Sequence, residues 1–175
     1  MTARLSSLES SLDDLGVRVT RVDEDGFREL IDETVAAPAV GVALEETFDD
    51  PVLSLTETAV TVDPTPAALR EATTGVTGAQ LGVADYGSLV LSLTDRASEL
   101  VSLFVDRHVA VVREGDIVAD MDAAMDTLHE EFNRSDGSDS AILATGPSAT
   151  ADMGALVKGA HGPRDVHVIV LEAGA

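Results

Sequence analysis

The stretches that decide the fold are residues 108–113 (HVAVVR) and 166–171 (VHVIVL), two short runs that are apolar on both faces. Runs of this length are typical of strands covered by other layers on both sides. Apolar residues elsewhere recur at three- and four-residue spacing, which indicates amphipathic helices. Buried strands that alternate with helices predict an α/β fold, a three-layer α/β/α sandwich around a mostly parallel sheet.

The same alternation extends to the N-terminus. Leucines at 5, 8, 12 and 15 predict a helix at about 3–15, which Gly16 ends. The segments that follow predict a strand at 17–22, a helix around 27–35, strands at 40–44 and 58–62, and a short helix capped by Asp63.

The C-terminal half reads in the same way. Residues 79–84 and 89–93 flank the turn-prone sequence DYGS, so they either pair as a hairpin or run consecutively through a bend. The remaining predictions are a helix at 99–105, a helix at 121–132 capped by Asp120, a buried strand at 141–144 and a helix at 151–158 capped by Thr150. No repeat or linker interrupts the pattern, which favours one domain over residues 1–175.

Charge excludes several classes of partner. The chain has 11 basic residues against 32 acidic residues, a formal net charge of −21. A surface that neutralises nucleic-acid phosphates or anionic lipids needs a basic patch, so nucleic acids and membranes are not expected as partners. Lys158 is the only lysine, and acids are spread over the whole sequence. A dense carboxylate shell is tolerated where salt screens its self-repulsion, which favours a halophilic protein over a merely acidic one.

The chain lacks the residues that several kinds of chemistry require. The chain has no cysteine, so it offers no thiolate nucleophile and no thiolate ligand for zinc or an iron–sulfur cluster. The four histidines have no spacing typical of metal ligands, and Ser148 lacks the G-x-S-x-G setting of a hydrolase nucleophile. No metal site is predicted. The sequence also shows neither a membrane-spanning run nor a signal peptide, so we expect a cytoplasmic protein.

The first candidate site segment is residues 75–91. Its candidate ligand-binding residues are Gly75, Thr77, Gly78, Gly87 and Ser88. The glycines allow the backbone to approach a ligand or a neighbouring strand closely. Asp85 follows a predicted strand, which is a usual place for functional groups in α/β sheets, so it is a candidate base or hydroxyl acceptor. Alternatively, Asp85 only organises the turn at Tyr86 and Gly87.

The second candidate segment is residues 144–154, predicted as a strand, a loop and a helix start. Free N–H groups at a helix N-terminus attract anions, so a phosphate or carboxylate could be held there. The candidate ligands are Thr145, Gly146, Ser148 and Thr150. The sequence matches neither the P-loop nor the dinucleotide-binding pattern, and plain helix capping remains the alternative.

The third candidate segment, residues 158–165, gathers rare cations. Lys158, His161 and Arg164 lie close together in an otherwise acidic chain, with Gly162 between the last two. Clustered cations favour an anionic ligand or a partner carboxylate, and His161 could also exchange protons near neutral pH. The alternative is that Lys158 stabilises a helix C-terminus, Arg164 pairs with local acids and His161 caps a carbonyl.

Taken together, the three segments resemble the LUD domain family and, within it, the lactate utilization protein C (LutC/YkgG) group. The resemblance rests on four sequences, which occur in the family's order. They are GVTGA at 75–79, ADYGSLVL at 84–91, TGPSATAD at 145–152 and GAHGPRDVHVI at 159–169. The family commonly has glutamate where this chain has Asp85, so the carboxylate is kept one methylene shorter.

The resemblance implies a fold like that of the NagB/RpiA/CoA-transferase superfamily. It also implies a role beside two other proteins in oxidising L-lactate to pyruvate, with the iron–sulfur clusters held by those partners and no cofactor in this chain. This division agrees with the absence of cysteine.

Two hypotheses follow for the function. The first is an accessory subunit that binds an anionic small molecule and an iron–sulfur partner protein. The alternative is a free-standing enzyme acting on a nucleotide-like or CoA-like substrate, in a pocket at the carboxyl ends of the strands. There Asp85 would be the base and His161 the acid. The sequence leaves open whether the chain is itself an enzyme.

Overall fold

A computed structural model describes residues 2–92, 98–134, 140–152 and 155–172. Among these residues the helices are α1 (Thr2–Asp14), α2 (Phe27–Thr34), α3 (Leu44–Phe48), α4 (Pro66–Glu71), α5 (Ser98–Leu103) and α6 (Met121–Phe132). The strands are β1 (Arg18–Val22), β2 (Ala39–Gly41), β3 (Val60–Val62), β4 (Thr74–Gly78), β5 (Leu81–Val83), β6 (Ser88–Ser92), β7 (Arg107–Arg113), β8 (Ile117–Val118), β9 (Ala141–Ala144), β10 (Ala149–Asp152), β11 (Ala155–Lys158) and β12 (Asp165–Leu171). In this part of the chain no helix is long and apolar enough to cross a bilayer.

The central sheet has six strands in the order β1-β12-β7-β4-β2-β3, and every neighbouring pair is parallel. The two stretches that decided the fold lie side by side in its middle. His108, near the start of β7, is in register with Val166 of β12 on one side and with Gly75 of β4 on the other. The predicted α/β fold with a mostly parallel sheet flanked by helices is confirmed.

One face of this sheet packs against α2 and α3. Phe27 and Ile31 of α2 and Phe48 of α3 lie in one buried cluster with Val109 of β7 and Ile169 of β12. Burial of each such side chain contributes roughly 1.5–3 kcal/mol relative to an exposed position. Because the alternate residues of β7 and β12 point to the opposite face, that face must be covered as well.

The opposite face is covered by α1 and by a second, four-stranded sheet in the order β8-β5-β6-β9. Leu8 and Leu12 of α1 and Leu89 of β6 pack with Ala110 of β7 and Val168 of β12. Helix α6 lies beyond the small sheet, where Ala124 and Leu128 pack against β5 and β6. Helix α5 also lies on this face, over Gly75 of β4, which is in register with His108, so the face is covered by two helices and a sheet.

Of the two alternatives for residues 79–93, the structure has the hairpin over the described residues, with β5 and β6 antiparallel and Leu81 opposite Val90. The helical stripe at 121–132 is also present, and the Asp120 carboxylate accepts a hydrogen bond from the N–H of Ala123 at 2.9 Å. The predicted helix at about 3–15 corresponds to α1.

The predicted helix at 151–158, capped by Thr150, is wrong. The segment instead forms the antiparallel strands β10 and β11, in which Ala149 lies opposite Lys158. The Ser148 carbonyl accepts a hydrogen bond from the N–H of Gly159 at 2.9 Å, closing the base of the hairpin. Gly159 has φ +77, a conformation that favours glycine, so the chain can turn there.

Two smaller predictions also need correction. Helix α4 is capped by Thr65, whose hydroxyl accepts from the N–H of Ala68 at 3.2 Å, and not by Asp63. Pro66 takes the first helical position, where its missing N–H costs nothing. The strand predicted as buried at 141–144 is β9, an edge strand whose Leu143 is 42% exposed.

Candidate functional site

A cavity of about 440 Å³ lies between the central sheet and the small sheet. His108 of β7 and Val166 of β12 form part of its inner wall, while Leu12 of α1 and Leu89 of β6 face them from the covering layer. His108 and Val166 are the second residues of their strands, so the cavity lies at the amino ends of the parallel strands. The alternative hypothesis expected its pocket at the carboxyl ends, whereas this cavity lies at the opposite end of the sheet.

The carboxyl ends border a smaller cavity of about 230 Å³, beside Arg113 and Leu171. The Arg113 guanidinium is already engaged there. It donates to the Asp50 carboxylate at 3.0 Å and lies 5.2 Å from the centre of the Phe48 ring. The cavity of about 440 Å³, the larger of these two, is therefore the better candidate for a ligand site; a further cavity of about 670 Å³ between α6 and β9 is lined by none of the predicted site residues.

All three candidate segments contribute to the larger cavity. The predicted site residues that line it are Gly87 from the first segment, Thr145, Gly146, Ser148 and Thr150 from the second, and His161 and Gly162 from the third. These residues are distant in sequence, and the cavity is where the folded chain brings them together.

Backbone hydrogen bonds join the second and third segments. The N–H of Ser148 donates to the Pro163 carbonyl at 2.8 Å, and the Ser148 hydroxyl accepts a long bond from the N–H of His161 at 3.4 Å. A Cβ on Gly162 would lie 3.2 Å from the Cβ of Ser148, closer than most such contacts. Glycine at 162 therefore allows the two segments to approach each other at the cavity mouth.

The first and second segments meet beside the end of α1. Gly87 and Gly146 have φ +63 and +67, a region that favours glycine. A Cβ on either residue would lie 3.1 to 3.2 Å from the Leu15 side chain. The hydroxyls of Ser88 and Thr145 are hydrogen-bonded at 2.7 Å. Ser88 is buried and does not line the cavity, so it supports Thr145 from behind.

His108 lies at the inner end of the cavity and is only 2% exposed. Its Nε2 is 2.8 Å from the hydroxyl of Thr77, which is also buried. Burial disfavours the charged imidazolium and lowers the pKa of His108 to about 4, so the ring is neutral at neutral pH. Thr77, a predicted ligand-binding residue, does not line the cavity; its hydroxyl instead holds the ring of His108, which does.

Sequence reasoning did not identify His108 as a site residue. It lies in an apolar strand, where a histidine is hard to distinguish from a core residue. Ser102 and Leu103 of α5, which also line the cavity, were missed for a similar reason. The available signal was the polar residue itself, since position 108 interrupts an otherwise apolar strand.

Asp85 does not line the cavity. It is an exposed turn residue after β5, and its backbone carbonyl accepts a hydrogen bond from the Ser11 hydroxyl at 3.3 Å. His161 does line the cavity. The structure therefore does not bring the proposed base and acid to a common cavity.

Gly75 and Gly78 are buried under helices. A Cβ on Gly75 would lie 2.3 Å from the Val101 carbonyl oxygen of α5, and one on Gly78 would lie 2.6 Å from the Thr47 side chain of α3. Both glycines thus serve close packing of a helix on β4. Neither lines the cavity.

Of the three cations in the third segment, Lys158 and Arg164 lie outside the cavity and only His161 lines it. Arg164 is exposed, and its Nε is 3.7 Å from the Asp106 carboxylate. Lys158 is exposed on β11. Among the described residues, no Lys, Arg, Asp or Glu lines the cavity. The described part of the chain also contains no group of three or more His, Asp or Glu residues that could hold a metal ion.

The LUD domain family model matches residues 6–171. A protein named lactate utilization protein C from Deinococcus radiodurans is 29% identical over 146 residues, which cover 82% of this chain and 62% of that protein. Another of that name from Bacillus velezensis is 33% identical over 96 residues, 54% of this chain and 40% of that protein. The chain thus covers less than two thirds of the length of these relatives.

A crystal structure of a DUF162 family protein from Deinococcus radiodurans has a TM-score of 0.71 to this structure, with 97% of each chain covered. The sequence identity is 22%, so this likeness shows the fold alone.

Proposed function

The chain belongs to the LUD domain family, and on that premise we propose that it is an accessory subunit of an L-lactate oxidation system. In this proposal it binds an anionic small molecule in the larger cavity and docks on an iron–sulfur partner protein. The relatives named lactate utilization protein C support the lactate role. These 175 residues include no cysteine, so they supply no thiolate ligand to an iron–sulfur cluster, which is consistent with a cluster held by a partner.

The observation that carries the proposal is the meeting of three distant segments around one cavity. Its mouth presents the hydroxyls of Thr145, Ser148 and Thr150 together with the imidazole of His161. Hydrogen bonds from such groups to a charged partner contribute roughly 1.5–3 kcal/mol each, so they can hold a singly charged anion in place of a full ion pair.

The alternative, a free-standing enzyme acting on a nucleotide-like or CoA-like substrate, has less support. It assigned the base to Asp85, which lies outside the cavity, and the cavity lining has no other carboxylate among the described residues. Its acid, His161, is left without the partner that the hypothesis gave it.

A genetic experiment with a matched pair of variants tests the lactate role. Ala149→Trp places a large ring in the cavity mouth, whereas Ala155→Trp places the same ring on β11, away from the cavity; both positions are exposed. We expect a deletion strain to lose growth on L-lactate but not on pyruvate. The wild-type gene and Ala155→Trp should restore growth on L-lactate, while Ala149→Trp should not.

Copurification tests the partner. The tagged protein from lactate-grown cells should recover a cysteine-rich protein whose visible absorption spectrum is that of an iron–sulfur cluster. Undiminished growth of the deletion strain on L-lactate, together with no such protein in the pull-down, contradicts the proposal.

A further inference from the structure

The inner end and the mouth of the cavity have different chemistry. Leu89, Val166 and Val168 at the inner end are all buried, and His108 lies among them. Thr145 and His161 at the mouth are exposed. A ligand that fills the cavity therefore meets apolar side chains at one end and hydroxyl and imidazole groups at the other.

The imidazole at the inner end has hydrogen-bonding capacity that the fold does not use. Its Nε2 is held by the Thr77 hydroxyl, and this is the hydrogen bond that the described residues give the ring. A neutral imidazole has one donor nitrogen and one acceptor nitrogen, so Nδ1 is available to a ligand in either tautomer. A buried polar side chain that faces a cavity with one nitrogen unused indicates a partner supplied by the ligand.

The size of the cavity also limits what it binds. Cavities of roughly 300–1,000 Å³ typically enclose ligands of drug or cofactor size, and this one has a volume of about 440 Å³. A small anion such as lactate would leave most of it empty. No Lys, Arg, Asp or Glu of the described part of the chain lines the cavity, which argues against a polyanion, because several desolvated charges would have no counter-charge.

We propose that the cavity binds an amphipathic monoanion, with its charged end at the mouth beside Ser148 and His161 and its apolar part reaching His108. That apolar part carries an uncharged hydrogen-bonding group, which pairs with Nδ1 of His108. This inference rests on the proposed function, since it concerns the same cavity and the same anionic ligand. It adds the ligand's chemical class and its orientation.

Linear carboxylic acids are suitable probes. Hexanoate, octanoate and decanoate are compared with their ω-hydroxy derivatives, and with lactate and pyruvate, by isothermal titration calorimetry in concentrated KCl. Each buried methylene contributes about 0.8 kcal/mol, so affinity should rise about fourfold per methylene until the chain reaches the inner end. For the chain length that reaches His108, we expect the ω-hydroxy acid to bind at least as tightly as its parent.

A variant separates the hydrogen bond from general packing. His108→Leu leaves a buried hydroxyl without a partner, so the ω-hydroxy acid should bind about tenfold or more weakly. The parent acid should change by less than about threefold, because it makes no hydrogen bond at this position. His108→Asn, which puts an amide near the position of Nδ1, should recover part of the lost affinity.

His167 provides the matched control. It is 6% exposed, lies on the neighbouring strand β12 and is hydrogen-bonded to the Thr20 hydroxyl at 2.9 Å, but it does not line the cavity. His167→Leu should leave both affinities unchanged. In the unsubstituted protein labelled with ¹⁵N-histidine, ω-hydroxydecanoate should shift the ring signals of His108 and not those of His167, a measurement that needs no variant to fold.

Three results overturn the inference: no binding by any of the three linear acids or their three ω-hydroxy derivatives, lactate binding as tightly as decanoate, or equal losses for parent and ω-hydroxy acids in His108→Leu. These results are distinguishable from failure of the proposed function. If lactate binds alone and growth depends on the gene, only the inference fails. If the long acids bind as expected but growth on L-lactate does not need the gene, only the lactate role fails.

Discussion

His108 and His167 are neighbours in the central sheet, yet they point to opposite faces of it. Each is buried, and each is hydrogen-bonded through Nε2 to a threonine hydroxyl. Burial lowers the pKa of both residues. They differ in that His108 faces the cavity, whereas His167 faces the layer of α2 and α3. Of the two histidines, only His108 is therefore positioned to contact a ligand in the cavity.

The buried state of His108 predicts a pH-dependent stability. Its pKa is about 4 in the folded protein against 6.5 for an unperturbed histidine. Between these values the unfolded chain binds a proton that the folded protein does not, so the free energy of unfolding falls as the pH is lowered through this range. The loss is absent above the unfolded pKa and reaches on the order of 3 kcal/mol near the folded pKa.

Urea unfolding at several pH values between about 7 and 4.5 measures this effect. His108→Gln has no imidazole at this position, so its stability should fall less steeply with decreasing pH than that of the unsubstituted protein. If the free energy of unfolding had the same pH dependence in both proteins, His108 would not be held neutral by the fold.

At the scale of elements, the packing of α5 on β4 depends on Gly75. A Cβ at this position would lie 2.3 Å from the Val101 carbonyl oxygen, a backbone atom that cannot rotate away. Gly75→Ala should therefore displace α5 and lower the free energy of unfolding by about 2–3 kcal/mol. Because α5 supplies Ser102 and Leu103 to the cavity, the variant should also weaken ligand binding.

Chemical denaturation of the variant measures this loss. Gly115→Ala is the control, because no atom lies within 4 Å of the added Cβ and the residue does not have positive φ. It should change stability by less than about 0.5 kcal/mol. Equal stability of Gly75→Ala and the unsubstituted protein would contradict the close packing of α5 on β4.

The elements that could be predicted from sequence are those with a local signal. The apolar runs at 108–113 and 166–171 and the Asp120 cap of α6 are specified by neighbouring residues, and the structure has them in place. The hairpin of β10 and β11 could not be predicted in this way, because Thr150 followed by Asp152 has the composition of a helix start. Its strand pairing is closed instead by contacts of Ser148 with Gly159 and Pro163.

The candidate site could be predicted in part, because some of its residues also have a local signal in the sequence. Glycines, hydroxyl residues and histidines in loops are visible as exceptions to an apolar pattern, and several of them line the cavity, among them Gly87, Ser148 and His161. The direction in which a strand residue points relative to a cavity depends on the layers that cover the sheet. His108 could therefore be placed on a strand from sequence, but not at the end of a cavity.

For the whole molecule, the net charge of −21 predicts that stability depends on salt. Part of the repulsion is visible on α6, where Asp122, Asp126 and Glu130 are exposed at four-residue spacing. Like charges at this spacing destabilise a helix, and salt screens them as the Debye length falls from about 10 Å at 0.1 M to about 3 Å at 1 M. The midpoint of thermal unfolding should therefore rise between about 0.1 M and about 2 M KCl.

A triple variant separates this screening from the general effect of salt on apolar burial. Asp122→Asn, Asp126→Asn and Glu130→Gln together remove three negative charges from one exposed face. The gain in Tm between low and high salt should be smaller in this variant than in the unsubstituted protein. A Tm that is constant or falls with KCl in the unsubstituted protein would contradict a surface adapted to high salt.

Helix α1 is both a covering element and a part of the ligand site. Leu12 lines the cavity, and Leu15 lies against the two positive-φ turns at Gly87 and Gly146 that form its rim. Docking of this helix and occupancy of the cavity are therefore thermodynamically linked. A ligand that contacts Leu12 stabilises the state in which α1 is docked. Conversely, detachment of α1 removes one wall of the cavity and weakens ligand binding.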